Sequence, residues 1–257
     1  GLYNGPFWVI YGAFRRTSLS EQETIFSKHS SKQFNEDLEG LRTEMLSMGG
    51  LVESQIQGAI EALLAFDADR AKQVQDLDKK TNKSERDINR KCIQIIALRQ
   101  PAAVDLRLLM SINRAIVDLE RIGDEASRIA KHSIELFKSG LGEVGMVEMR
   151  HIGQLVQVML KDALIAFARR DMELAYSVVK RDDQVDKEYG SAMRSLITYM
   201  MGDPRSISGV MSLIWVLRSL ERIGDHTCNL AEQLVYQVSG QDVTHQSRDS
   251  IGQLIDD

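Results

Sequence analysis

The sequence predicts an all-α fold built as two similar antiparallel three-helix bundles from an internal duplication. Three observations carry this. From Phe34 onward apolar residues recur at three- and four-residue steps, with little of the alternation that marks strands. The segment AIEALLAFDADRA at Ala59–Ala71 returns as ALIAFARRDMELA at Ala163–Ala175, an offset of 104 residues. The hexapeptide LERIGD at Leu119–Asp124 returns at Leu220–Asp225, an offset of 101 residues.

The elements follow in order. The pattern predicts helices over residues 32–66, 68–99 and 102–138 in the first repeat, and over 147–170, 171–201 and 205–239 in the second. Asp67 and its counterpart Asp171 stand where a side chain caps a new helix. Apart from Pro6, the only prolines are Pro101 and Pro204, each shortly before a copy of the hexapeptide. Proline suits a first helical turn and breaks an interior, so both mark the start of the motif helix. Loops of different length there account for the change of offset. KSGLGEVGM at Lys138–Met146, with three glycines, separates the repeats. The expected organisation is a repeat over 28–138, a second over 147–240, and a flexible polar tail over 241–257.

Residues 1–27 differ from the rest. GLYNGPFWVIYGAF holds five of the fifteen aromatic residues and lacks the basic stretch of a secretory signal. The expectation is a non-native or disordered leader, set aside from the fold. In the whole chain, 43% apolar and 27% charged residues fit a globular protein. No apolar run reaches membrane-spanning length. A formal charge of -5 argues against direct nucleic-acid binding. Cys92 and Cys228 fall within helical segments and read as buried free thiols, which suits a reducing, cytoplasmic setting.

The repeated hexapeptide carries the chemistry. Glu120 with Asp124, and Glu221 with Asp225, are four residues apart and share one helical face. Like charges at that spacing repel by a few tenths of a kcal/mol. Both pairs lie at the border of an apolar stripe that includes Ile116, Leu119 and Ile122 in one copy, and Leu217, Leu220 and Ile223 in the other. Gly123 and Gly224 each cost about 1 kcal/mol against alanine in mid-helix, which tight packing explains but the carboxylates do not. In an antiparallel hairpin around each proline, Asp78 and Asn82 face the first pair, and Asp182 and Asp186 face the second. Such oxygen donors suit a hard cation. A solvated acidic face, balanced by Arg121 and Arg222, is the other reading open at this point. A ferritin-type site has only Glu148 and His151 to offer, without a twin. Phosphate-binding glycine loops and nucleophile elbows are absent from the sequence.

The doubled ERIGD, RQPAAVDLRLLM at Arg99–Met110 and QFNEDLEGLRTEMLSMGGLVE at Gln33–Glu53 together resemble the PhoU family of phosphate-transport accessory proteins, over about residues 28–245. The resemblance implies two three-helix bundles whose motifs bind multinuclear metal clusters. It assigns Asp78, Glu120 and Asp124 to one site, with Asn82 in place of an expected aspartate. It assigns Asp182, Asp186, Glu221 and Asp225 to the other. The metal (iron, manganese, magnesium or zinc) stays open, and the site with Asn82 is expected to bind more weakly. Asp105, Arg107, Arg121 and Arg222 are candidates for partner contacts or for supporting the ligands. By the same resemblance the chain is a non-enzymatic cytoplasmic adaptor between a phosphate-specific ABC transporter and a sensor histidine kinase. It is a negative regulator of the starvation response, self-associates as a homodimer, and reaches the membrane only through partners. A metal-dependent enzyme or metal store using the same carboxylates is the competing expectation, and a purely structural repeat a third.

Overall fold

A computed structural model describes residues 19–243 and Gly252, with side chains from Lys32 onward. The described residues form six α-helices and one 3-10 turn. Helix α1 spans Leu19–Ala65, α2 Ala68–Arg99, α3 Ala103–Ser139, α4 Met146–Arg169, α5 Met172–Gly202 and α6 Ile207–Ser239. The turn, Pro204–Ser206, leads directly into α6. No helix among the described residues is long and apolar enough to cross a membrane.

Five of the six predicted helices match within one or two residues; α1 does not. It starts at Leu19 instead of residue 32, so residues 19–27 of the segment set aside as a leader are helical. The cause is local: from Leu19 to Glu39 there is neither glycine nor proline to interrupt the helix. Residues 1–18 of that segment, and most of the expected tail, lie outside the described residues.

The duplication extends to the turns. Phe66 and Arg170 both take a left-handed conformation, with φ of 55° and 56°. Asp67 and Asp171 follow, each returning its N–H to a carbonyl of the preceding helix, Ala62 and Ala166, at 3.0 Å. Each aspartate then caps the next helix: Asp67 accepts from the N–H groups of Asp69 and Arg70, and Asp171 from that of Leu174. Between the repeats, Gly140, Gly142 and Gly145 all have positive φ, a conformation that a β-carbon disfavours.

The chain divides at Glu39–Gly40 into two units. The first contributes the leading turns of α1, where Gln33 donates to Asp37 and Lys32 pairs with Glu36. The unit from Gly40 on holds both repeats. In it α3 and α6 lie antiparallel: Asp118 meets Asn229, Glu125 meets Arg222, and His132 meets Trp215. The segment of α1 from Gly40 and α4 are antiparallel too, with Gly49 against Leu164 and Gly153 against Ile60. Helix α3 and this segment of α1 thus each pack antiparallel against their own duplicates, α6 and α4. Helices α2 and α5 pack outside, on α3 and α6 respectively. The stripes predicted from the sequence form the core: Ile112, Ile116, Leu119 and Ile122, with Leu213, Leu217, Leu220 and Ile223, are all essentially inaccessible to solvent. Each such side chain contributes about 1.5–3 kcal/mol on burial.

Candidate metal centres

The first centre lies where α1, α2 and α3 meet. Gln55 of α1, buried, accepts a hydrogen bond from the Thr81 hydroxyl at 2.6 Å and donates to Asp78 Oδ1 at 3.4 Å. Asn82 donates its amide to the other oxygen, Asp78 Oδ2, at 3.3 Å. Both Asp78 oxygens are thereby directed, while Asn82 Oδ1 is buried with no hydrogen-bond partner. From α3 come Glu120 and Asp124. Burial holds the Glu120 carboxyl above its ordinary pKa, and Asp124, Glu85 and Asp78 push it further, against an opposing effect of Arg121. Asp78 is raised first by burial and then by Asp124.

The second centre repeats this between α5 and α6. Glu221 is raised by burial, then by Asp225 and Asp186, with Arg218 opposing and Asp182 adding to the rise. Asp225, at the exposed edge, is raised by partial burial and then by Asp186. Asp182 is 6% exposed. Beside it the Cys228 thiol is pushed far up, by burial first and then by Asp182, Glu232 and Asp225. Glu232, a further acid of this cleft, is raised to about 7 by burial and by Asp118 and Asp242.

All eight sequence-predicted acids and amides therefore fall in two matching sets, one per repeat. Among the described residues, no three His, Cys, Asp or Glu side chains are drawn tightly enough together to enclose a metal ion as they stand. The fit to a hard cation rests on other grounds. An unpartnered buried amide oxygen, Asn82 Oδ1, is a ligand type for such ions. Beyond burial, which comes first, the carboxylates raise one another by repulsion, and a cation would relieve that part. The two motif glycines face different neighbours. A β-carbon at Gly224 would stand 3.0 Å from Asp182 Oδ1, and one at Gly123 would stand 3.0 Å from Gln55 Oε1. Gly224 thus leaves room for an acid, and Gly123 for the Gln55 amide beside Asp78.

The four supporting candidates scatter. Arg121 borders Glu120, whereas Arg222 reaches across to Glu125 of α3 at 3.1 Å. Arg107 lies beside Gly240, its guanidinium carbon 3.5 Å from where a β-carbon would be, and Asp105 sits half-exposed in the first turn of α3. Neither Asp105 nor Arg107 joins a centre. His151 pairs with Glu188 of α5 at 3.6 Å, a partner outside the ferritin spacing. Cys92 and Cys228 are buried free thiols, as expected.

Sequence reasoning missed the floor of the first centre. Gln55 and Thr81 correspond, at the repeat offset of 104, to Met159 and Val185, so one floor is polar and the other apolar. Two polar residues at otherwise apolar repeat positions were the available signal. It also missed Glu85, whose counterpart is Tyr189.

Known proteins share this architecture. The PhoU domain matches twice, over residues 45–133 and 149–234, once in each repeat. The phosphate-specific transport system accessory protein PhoU homolog of Pseudomonas aeruginosa is 54% identical over 217 residues, covering 84% of this chain and 90% of that one. The Escherichia coli K12 accessory protein PhoU is 43% identical, over 89% of this chain and 95% of its own. The crystal structure of PhoU from Pseudomonas aeruginosa superposes with a TM-score of 0.79 at 53% identity, over 81% of this chain and all of that one. That of the phosphate transport regulatory protein PhoU from Streptococcus pneumoniae gives 0.76 at 31% identity, over 82% and 99%. With both repeats matched and relatives covered almost end to end, the chain belongs to the PhoU family.

Proposed function

We propose that this protein is an accessory regulator of phosphate uptake and of the phosphate-starvation response. In this reading it works in the cytoplasm as an adaptor between a phosphate-specific ABC transporter and a sensor histidine kinase, by binding and not by turnover, as a homodimer. The observation that carries it is the near-complete kinship to proteins named as accessory to phosphate-specific transport. The carboxylate sets are its metal sites: Asp78, Asn82, Glu120 and Asp124 in one repeat, and Asp182, Asp186, Glu221 and Asp225 in the other. A bound hard cation there would neutralise crowded carboxylates and tie α2 to α3, or α5 to α6. The chain's own part is to hold the oxygens ready. Gln55 and Asn82 orient Asp78 in the first set, and the missing β-carbon of Gly224 leaves room for Asp182 in the second.

A starvation-reporter assay tests the reading. Cells lacking their own family member, grown in high phosphate, receive the chain or its Glu221→Gln/Asp225→Asn variant, and alkaline phosphatase is measured. Silencing by the wild type and failure of the variant is the expected result. Silencing by neither rejects the regulatory role and moves a metal store or metal-dependent enzyme to the front. Equal silencing by both leaves the regulator and removes the motif from its signalling.

A further inference from the structure

Where α3 and α6 face each other, their meeting residues recur every seven positions: Asp118, Glu125 and His132 on one helix, Trp215, Arg222, Asn229 and Tyr236 on the other. Seven residues are close to two turns, so each row keeps to one face. The charge along this seam is sorted. Toward Tyr236 it carries the acids Asp118, Glu232 and Asp242, the last paired with Arg114 at 3.8 Å. Toward Trp215 it opens into a cleft of about 320 Å³ flanked by Arg128, Lys131, Arg218 and Arg222. Four cations thus meet one carboxylate, Glu125, in a chain whose net charge is -5.

Glu125 explains two of the four. It is 2% exposed, and one oxygen, Oε1, accepts a hydrogen bond from Arg128 Nη1 at 2.7 Å and forms an ion pair with Arg222 Nη1 at 3.1 Å. It fixes both guanidinium groups from below, and each guanidinium has five donors, so the outer ones remain available. These side chains are 50% and 40% exposed. Lys131 and Arg218 are not needed to neutralise Glu125; Arg218 also faces Glu221 of α6, whereas Lys131 adds like charge to the cleft. The end wall is aromatic: Trp215 stacks on His132, with ring centroids 6.0 Å apart and planes 12° from parallel. Trp215 is nonetheless 47% exposed, and His132 is held by Glu135 at 2.8 Å. Preset arginines match phosphate oxygens, and an exposed aromatic face suits a planar ring. The volume is at the small end of ligand sites.

We propose that this cleft binds a nucleoside polyphosphate, the phosphates on Arg128, Lys131, Arg218 and Arg222 and the base against Trp215. The site shares no carboxylate with the two metal centres, although Arg218 and Arg222 also lie near Glu221 and Asp225 of the second.

Isothermal titration of the full chain, at low salt and without added divalent metal, tests it with ATP, tripolyphosphate and inorganic phosphate as probes. Expected is saturable ATP binding, tighter than that of tripolyphosphate or phosphate and weakened by salt. Lys131→Glu, at an exposed position, weakens it at least about tenfold. Trp215→Ala, also exposed, removes the preference for ATP over tripolyphosphate. The Glu221→Gln/Asp225→Asn variant binds ATP at least as tightly as the wild type, because it removes carboxylates that attract Arg218 and Arg222. The proposal is overturned by absence of ATP binding at millimolar concentration, or by an affinity unchanged in Lys131→Glu. Equal affinity of the wild type for ATP and tripolyphosphate overturns it as well, since the ring then contributes nothing. Loss of binding in the Glu221→Gln/Asp225→Asn variant places the ligand at the carboxylates and overturns it too.

Discussion

Replacing Gly224 by alanine separates the two uses of the motif helix, folding and ligand placement. In mid-helix the change favours folding by about 1 kcal/mol. The added β-carbon, however, stands 3.0 Å from Asp182 Oδ1, and in ordinary contact with Val185 Cγ1 at 3.5 Å. Carbon and oxygen at 3.0 Å are a few tenths of an ångström too close, so the Asp182 carboxylate has to turn. It is nearly buried and interacts with the Cys228 thiol, so turning disturbs that contact and offsets part of the helical gain. The net change in metal-free stability is expected to stay within about 1 kcal/mol, or about 2–4 °C in Tm for a unit of this size. Metal ligation is less tolerant, because donor distances must hold to about 0.2 Å. A loss of at least about tenfold in affinity at the second centre follows, equivalent to about 1.4 kcal/mol. Calorimetric melting of the metal-free protein and titration with Mn²⁺ give the two numbers. Gly50→Ala is the control, since nothing lies within 4 Å of a β-carbon there and only the helical gain should appear. If Gly224→Ala melts higher by as much as Gly50→Ala and binds Mn²⁺ like the wild type, the glycine does not guard Asp182 and the reasoning fails.

Three more outcomes follow from the same geometry. Asn82→Asp supplies the charge that the first centre lacks; it should raise that centre's Mn²⁺ affinity while lowering the metal-free Tm, because Asp78, Glu85, Glu120 and Asp124 already crowd the position. Glu232, raised to about 7 against an ordinary 4.5, binds its proton more tightly folded than unfolded. Its contribution to stability is therefore full below about pH 4.5 and lost as pH rises through 7, by about 1–2 kcal/mol after allowance for partial exposure. Glu232→Gln should flatten that fall in a series of melts from pH 5 to 8. Glu125→Ala leaves Arg128 and Arg222 without their shared acceptor and opens a gap in the seam; a loss of about 2–3 kcal/mol in urea unfolding is expected, with a smaller one for Glu125→Gln.

The parts of this fold that local chemistry controls were readable in advance. Asp67 and Asp171 cap because a carboxylate at that position accepts from the first free N–H groups, and proline placement locates the hairpins. The duplication made each reading independent of the other. The grouping of the eight acids and amides into two clusters was readable too, because hairpin geometry and helical rise bring residues about twenty positions either side of a proline to one level. The seam between α3 and α6 was not. Asp118, Glu125 and His226 are polar, so along one helix they look solvated, yet all three are buried. Much of their compensation comes from residues about a hundred positions away: Asn229 and His226 for Asp118, and Arg222, beside the local Arg128, for Glu125. No single-helix pattern contains that pairing. The early start of α1 has a different basis: residues 19–31 carry no helix breaker but also lack the regular apolar period that marks the rest of the helix.

The most direct test of the metal-centre account is elemental analysis by mass spectrometry of the chain purified without chelators after exposure to iron, manganese, magnesium and zinc. Wild type, Glu120→Gln/Asp124→Asn and Glu221→Gln/Asp225→Asn are compared, with circular dichroism to confirm intact helices. The account predicts metal bound by the wild type, loss of one share in each double variant, and the larger share lost with Glu221 and Asp225, where no asparagine replaces an aspartate. Helical variants that retain the wild type's full metal content, or a wild type that holds none, would contradict it.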